Sequence, residues 1–150
     1  MLELTYMNNK PFTSQEYQEI YSKVPRLCVA VVIKTEEGVV FILRQLPSWH
    51  GQWHLPGGTV LYGERVQDAV RRFARNEAGV DIAVGDLMGY IEYPSEVKEV
   101  GFGTTIALVF SSTITGGELK VNEDSSEIKI FRELPNPMIA EEKDFLKTRI

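Results

Sequence analysis

At 150 residues, with 43% hydrophobic and 25% charged positions, the chain has the size and composition of one ordinary globular domain that needs no staples to bury a core. A formal net charge of −5 and a pI near 5.1 argue against bulk nucleic acid or an anionic membrane as partner, because no basic excess is present to release counterions. A small phosphorylated ligand stays open, since it needs only a local cation. Cys28 is the only cysteine, which excludes an intrachain disulfide and a cysteine-based zinc site. No apolar run approaches the roughly 20 residues of a membrane span and no signal-peptide pattern opens the chain, so the expected location is the cytoplasm.

Thr13 and Glu16 have capping-box spacing, and Tyr17, Ile20, Tyr21 and Val24 follow at helical intervals. A short helix is expected over 13–23, ended by Pro25. Leu27 to Ile33 is a continuous apolar run rich in β-branched residues and predicts a buried strand. A turn at Glu36-Glu37-Gly38 returns the chain into a second strand, Val39 to Leu43. A loop over 47–52 carries Trp49 and His50, and Trp53, His54 and Leu55 lead into Pro56-Gly57-Gly58.

From Glu64 to Ala78 the pattern is a one-sided helix, with Val66, Ala69, Val70, Phe73 and Ala74 on its apolar stripe and Gly79 placed to stop it. Val84 to Tyr93, Thr104 to Thr113 and Glu127 to Phe131 read as strands. The polar, glycine-rich 94–103 stretch between the first two reads as a mobile loop. A closing helix is expected over 140–148, after the Pro135-Asn136-Pro137 break. No repeat or linker divides the chain, so the expectation is a single α/β (α+β) domain, a mixed sheet sandwiched between helices.

On the apolar stripe of the 64–78 helix stands one carboxylate, Glu77. A carboxylate among apolar side chains is costly unless something pairs with it, and a metal ion is a common partner; Arg44 or Arg72 is the alternative. At about 100° per residue, positions 73, 76 and 77 share one face of the helix. Gly57 can bring its backbone carbonyl close to a metal because no Cβ intervenes. Arg44 either holds a phosphate or makes a surface ion pair, and Trp49 and His50 either pack or stack a base. His54 reads as a satisfied strand histidine and Phe73 as core.

Residues 57–80 resemble the signature box of the Nudix hydrolases, which cleave nucleoside diphosphates linked to another group. Gly58, Glu64, Arg72, Ala74, Glu77, Gly79 and Val80 match that box at every spacing, whereas Phe73 and Asn76 stand where it has glutamates. Arg44 before the box, Trp53 to Gly58 entering it, and Phe131-Arg132-Glu133-Leu134-Pro135 after it also fit the family. The resemblance implies that Glu64 and Arg72 form a salt bridge fixing the glycine loop to the helix, within a frame completed by Gly58 and Gly79. It also implies magnesium, with manganese as the alternative, held by Gly57 and Glu77, and a small nucleotide as substrate.

The GDP-mannose mannosyl hydrolase branch has a similarly reduced box, uses one magnesium and attacks the sugar carbon. Gln15 to Pro25 resembles the helix before that branch's first strand. Alignment with the branch makes Asp124 a metal ligand and puts Ser125 where it has a histidine base. A serine cannot act as a base near neutral pH, which leaves Glu123 and Glu127 as candidate bases. Ala30 and the region of Pro47 replace a branch aspartate and a substrate arginine. Three readings follow: a magnesium-dependent hydrolase of a nucleotide sugar or related nucleoside diphosphate derivative, a nucleotide-binding module without turnover, or an interaction scaffold. Tyr17, Ile20 and Tyr21 offer either a homodimer contact or packing on the chain's own sheet.

Overall fold

The computed structural model describes residues 11–150. Helix α1 (Ser14–Tyr21) starts with the expected capping box: Thr13 Oγ1 accepts from the Glu16 backbone and the Glu16 carboxylate accepts from the Thr13 N–H. Then come β1 (Arg26–Thr35), β2 (Gly38–Arg44), β3 (Trp53–His54), β4 (Gly57–Thr59), α2 (Val66–Ala78), β5 (Val80–Glu92), α3 (Glu96–Val100), β6 (Thr105–Gly117), β7 (Ser125–Phe131) and α4 (Ala140–Leu146).

The strands form one seven-stranded mixed sheet, in the order β3-β2-β1-β6-β5, with β4 also on β1 and β7 on β2. Strand β1 runs parallel to β6 along almost its whole length, from Arg26↔Thr105 to Lys34↔Thr113. On its other edge β1 changes partner. It meets β2 only at Lys34 and Thr35, and β4 takes over at Cys28, Val29 and Ala30. This exchange lays Gly57 and Gly58 directly on the middle of β1.

The unbroken apolar run in β1 has a simple cause, since both faces of the sheet are covered. Cys28, Ala30 and Val32 point into a cluster with Phe41, Leu55 and Leu146 under α4. Val29, Val31 and Ile33 point into a cluster with Ala69, Val70 and Phe73 under α2. Successive side chains alternate between faces, so an interior strand is apolar at every position.

Most element ends shift by a few residues from the sequence expectation, and the larger differences have local causes. Helix α2 begins at Val66, because Arg65 is extended (φ −74°, ψ 145°) and Glu64 belongs to the preceding turn. Strand β5 begins at Val80, not Val84, because Gly79 at φ 78° turns the helix end straight into the sheet, and β6 runs on to Gly117 to pair with it. The 94–103 stretch is not simply loop: it contains α3, closed by Gly101 at φ 98°. Helix α1 packs within its own chain, with the Tyr17 ring 6.1 Å from Phe102 and 5.7 Å from the Arg26 guanidinium. Among the described residues, no helix is long and apolar enough to cross a membrane.

Candidate active site

The frame of the site is an ion pair. Arg72 donates from Nε to Glu64 Oε2 at 2.8 Å and from Nη2 to Glu64 Oε1 at 2.9 Å, and Nη2 also reaches the Thr59 carbonyl at 3.0 Å. Glu64 Oε1 takes the Leu61 N–H at 3.0 Å. Burial alone would raise the Glu64 carboxyl, but these donors outweigh it and hold it below its ordinary value. Helix α2 is thereby clamped to the turn that follows the glycines. Both glycines are sterically required: a Cβ at Gly57 would strike the Val29 carbonyl, and one at Gly58 would lie 2.6 Å from the Phe73 ring.

Glu77 lies one turn beyond Phe73 and reaches across to the glycine loop, where its Oε1 accepts the Gly57 N–H at 2.8 Å. Burial pushes its carboxyl up to about 7, against the opposing pull of the Gly57 N–H and Arg44, while Asp124 pushes the same way as burial. Asp124 is brought to this point by a chain of short contacts. Asn122 donates to the Asn76 carbonyl at 3.3 Å and accepts from the Asp124 N–H at 2.9 Å, and Gln45 N–H donates to the Asp124 carbonyl at 3.2 Å.

Arg44, at the end of β2, donates Nη2 to Ser48 Oγ at 2.8 Å and stands 5.4 Å from the Trp49 ring. Burial lowers its pKa, and Glu77, Glu142 and Asp124 oppose that fall. Trp49 holds a left-handed backbone, φ 50°, unusual for a large side chain. Its N–H donates to Glu99 at 2.7 Å and its indole to Ser95 at 3.1 Å, so this tryptophan is tied to α3.

Arg44, Trp49, Gly57, Gly58, Glu77 and Asp124 therefore share one cleft of about 1230 Å³. Three expected site residues are not brought to it. His50 is exposed and contacts the Leu46 carbonyl at 3.3 Å, Glu123 is exposed, and Glu127 pairs with Lys129 at 3.1 Å. Residues 123–127 thus supply a cleft carboxylate only at Asp124.

Glu142 is the cleft carboxylate that sequence reasoning missed. Only 4% exposed, it accepts the Leu55 N–H at 2.8 Å and the Tyr93 hydroxyl at 2.8 Å. Burial pushes it up to about 7 against those two donors and Arg44. A signal was present in the sequence: Ile139, Glu142, Phe145 and Leu146 form the buried stripe of α4, so Glu142 is a lone carboxylate on an apolar face, as Glu77 is. Beside it, His54 is buried and neutral, its Nδ1–H donating to the Leu55 carbonyl at 2.8 Å; burial, with Arg44, pushes its pKa down to about 4.

These shifts act on stability with opposite signs. Glu142 titrates at 4.5 ordinarily and about 7 here, so its contribution is full below 4.5 and is lost as pH rises to about 7. His54 titrates at 6.5 ordinarily and about 4 here, so its contribution is present above 6.5 and is lost as pH falls toward 4. Glu142→Gln should remove the first component. Urea unfolding is expected to show variant stability gaining on the parent by about 2 kcal/mol between about pH 5 and 7. Parallel profiles would mean that Glu142 keeps ordinary acidity.

The profile of the NUDIX domain matches residues 24–147. A low-salt glycan biosynthesis protein, Agl8, of Haloferax volcanii is 32% identical over 129 residues, covering 82% of this chain and 83% of that protein. The chain belongs to the Nudix family. An ADP-ribose pyrophosphatase of Methanocaldococcus jannaschii is 33% identical over 107 residues, 71% of this chain but 62% of that longer protein. The crystal structure of a MutT Nudix hydrolase from Burkholderia pseudomallei shares the fold, with a TM-score of 0.76 at 24% identity over 85% of this chain and 99% of that one. Nudix hydrolases act on nucleoside diphosphate derivatives.

Within this Nudix box, Phe73 is core, 7% exposed and packed under Gly58, and Asn76 is exposed at the cleft rim. Among the described residues, no three His, Cys, Asp or Glu side chains form a metal-holding cluster. Glu77 and Asp124, with the Gly57 main chain, offer two carboxylates and a carbonyl. That donor set fits magnesium, which binds through one or two carboxylates and completes its shell with water and substrate phosphates. It does not fit an ion caged by protein alone.

Proposed function

We infer that this Nudix domain is a magnesium-dependent hydrolase of a nucleotide sugar or another nucleoside diphosphate linked to a second group. The observation that carries the reading is the convergence of Glu77, Glu142 and Asp124 on Arg44 inside one cleft. Support comes from relatives whose names include a glycan biosynthesis protein and an ADP-ribose pyrophosphatase.

In this reading Glu77, Asp124 and the Gly57 carbonyl hold the cation, and Arg44 binds a phosphate oxygen as a charged donor. Magnesium, when bound, neutralises the diphosphate as its bond to the departing group breaks. Glu142 takes a proton from the attacking water. Its pKa near 7 lets it exist as a carboxylate at neutral pH yet be basic enough to accept that proton. Glu142→Gln is expected to lower kcat about 10²-fold and, at saturating magnesium where Glu77 is held ionised, to flatten the acidic limb of the rate profile. A merely structural Glu142 would leave that limb in place.

The decisive experiment offers purified protein a panel of nucleotide sugars and dinucleoside diphosphates with magnesium, and identifies the products. Turnover that a chelator abolishes supports the reading. The product pair distinguishes attack at phosphorus from attack at the sugar carbon. Silence across the panel, with Glu77→Gln indistinguishable from the parent, overturns it. Phe73 and Asn76, which remove two box carboxylates, favour a second reading as a nucleotide-binding module; calorimetric binding without turnover would establish that one.

A further inference from the structure

The same cleft extends along β1 to Arg26, four residues from Ala30 and so about 13 Å from the Gly57 contact at ~3.3 Å per residue. A nucleoside whose diphosphate lies at Glu77 spans a distance of this order. Glu96, on α3, is the buried acid at this end, 4% exposed. Its Oε2 accepts from Thr105 Oγ1 at 2.9 Å and lies 3.6 Å from the Arg26 guanidinium. Its Oε1 is the one buried side-chain polar atom among the described residues without a hydrogen-bond partner. Leaving a charged oxygen unserved is costly, and folded proteins rarely do so without a use for it.

The surroundings indicate what would serve it. Arg26 is fixed beside Glu96 by donation to Thr59 Oγ1 at 2.7 Å and to Thr105 Oγ1 at 3.2 Å. Tyr17, Tyr21 and Phe102 line the same end of the cleft, with Tyr17 edge-on to Tyr21 at 4.8 Å and to Phe102 at 6.1 Å. An aromatic wall, a fixed cation and an acceptor oxygen together suit a flat, hydrogen-bonding ring.

We propose that Glu96 and Arg26, walled by Tyr17, Tyr21 and Phe102, form a nucleobase subsite that selects bases carrying an exocyclic amino group. The proposal rests on the reading of the cleft as a nucleotide site and adds the base to it. The amino group donates to Glu96 Oε1, and Arg26 donates to the neighbouring ring nitrogen or carbonyl of the same edge. Uracil and hypoxanthine are disfavoured because they bring no amino group to the carboxylate. In uracil the single edge N–H is flanked by two carbonyls, one of which is driven toward the carboxylate oxygens.

Equilibrium binding of the diphosphates of guanosine, inosine, adenosine, cytidine and uridine, with magnesium, tests it on the unaltered protein. At least one amino-bearing nucleotide is expected to bind about tenfold or more tighter than uridine diphosphate, and the guanosine form tighter than the inosine form. Glu96→Gln, which keeps shape and the Thr105 contact, should erase that preference, weakening the amino-bearing nucleotides and relieving the repulsion that disfavours uridine diphosphate. Equal affinity for all five on the parent protein overturns the proposal, as does a preference that survives Glu96→Gln. Binding is read without turnover, so a selective but inactive protein defeats the hydrolase reading alone, and an active but unselective one defeats the subsite alone.

Discussion

Glu77→Gln is expected to cut magnesium-dependent turnover by on the order of 10³-fold, the loss that several kcal/mol of transition-state charge stabilisation represents. The substitution is close to isosteric, and the amide oxygen can still accept the Gly57 N–H that Glu77 Oε1 now takes at 2.8 Å. Only the charge disappears. With two box positions already held by Phe73 and Asn76, the one other carboxylate on α2 is Asp68. It lies in the first turn, paired with Arg71 and outside the cleft, so it cannot replace Glu77. The fold should hold without metal, because the carboxyl whose pKa burial raises to about 7 is itself unfavourable when ionised. Steady-state kinetics beside urea unfolding reads both quantities. Unchanged turnover would reduce Glu77 to a tether for the glycine loop.

The second large effect lies four residues earlier on the same helix. Restoring the family glutamate by Phe73→Glu is expected to destabilise the protein by at least the ~3–5 kcal/mol typical of truncating a buried phenylalanine, without raising activity. Phe73 is 7% exposed, fills the space under Gly58 and carries the Arg72 guanidinium 4.4 Å from its ring centre. A carboxylate there would lose that packing and be buried among Val29, Val70 and Ala74. Set against the usual 5–15 kcal/mol of a domain, the loss would show as a large shift in the urea midpoint. Asn76→Glu is the control, since its side chain sits at the cleft rim and should leave the midpoint unmoved. A Phe73→Glu protein as stable as the parent would mean that this part of the core repacks freely.

The contrast between these neighbouring positions shows what kind of information the chain carries in its order. Local features were readable because their causes are local. The capping box at Thr13 and Glu16, the apolar run of β1, the Gly79 stop and the eight-residue spacing of Glu64 and Arg72 each act within a helix turn, a strand or one loop. The box spacing therefore led to the fold and to Glu77 beside Gly57, whereas Asp124 followed only from the likeness to one branch of the family.

Glu142 and Glu96 were not legible in that way. Glu142 becomes a cleft residue through Leu55, 87 positions away, and through Tyr93, 49 away. Glu96 acquires its character from Arg26 and from Thr105 across the turn. Conversely, Glu123 and Glu127 sit one and three residues from Asp124 and still miss the site, because alternate positions on a strand point to opposite faces and a loop tip points outward. The sequence by itself determined the family, the sheet's two-sided core and the clamp between the glycine loop and its helix, since each depends on residue type at fixed short spacing. Only the tertiary structure decided which carboxylates face Arg44 and what lies at the far end of the cleft, since burial and charge coupling are set by chain segments that meet only when the sheet closes.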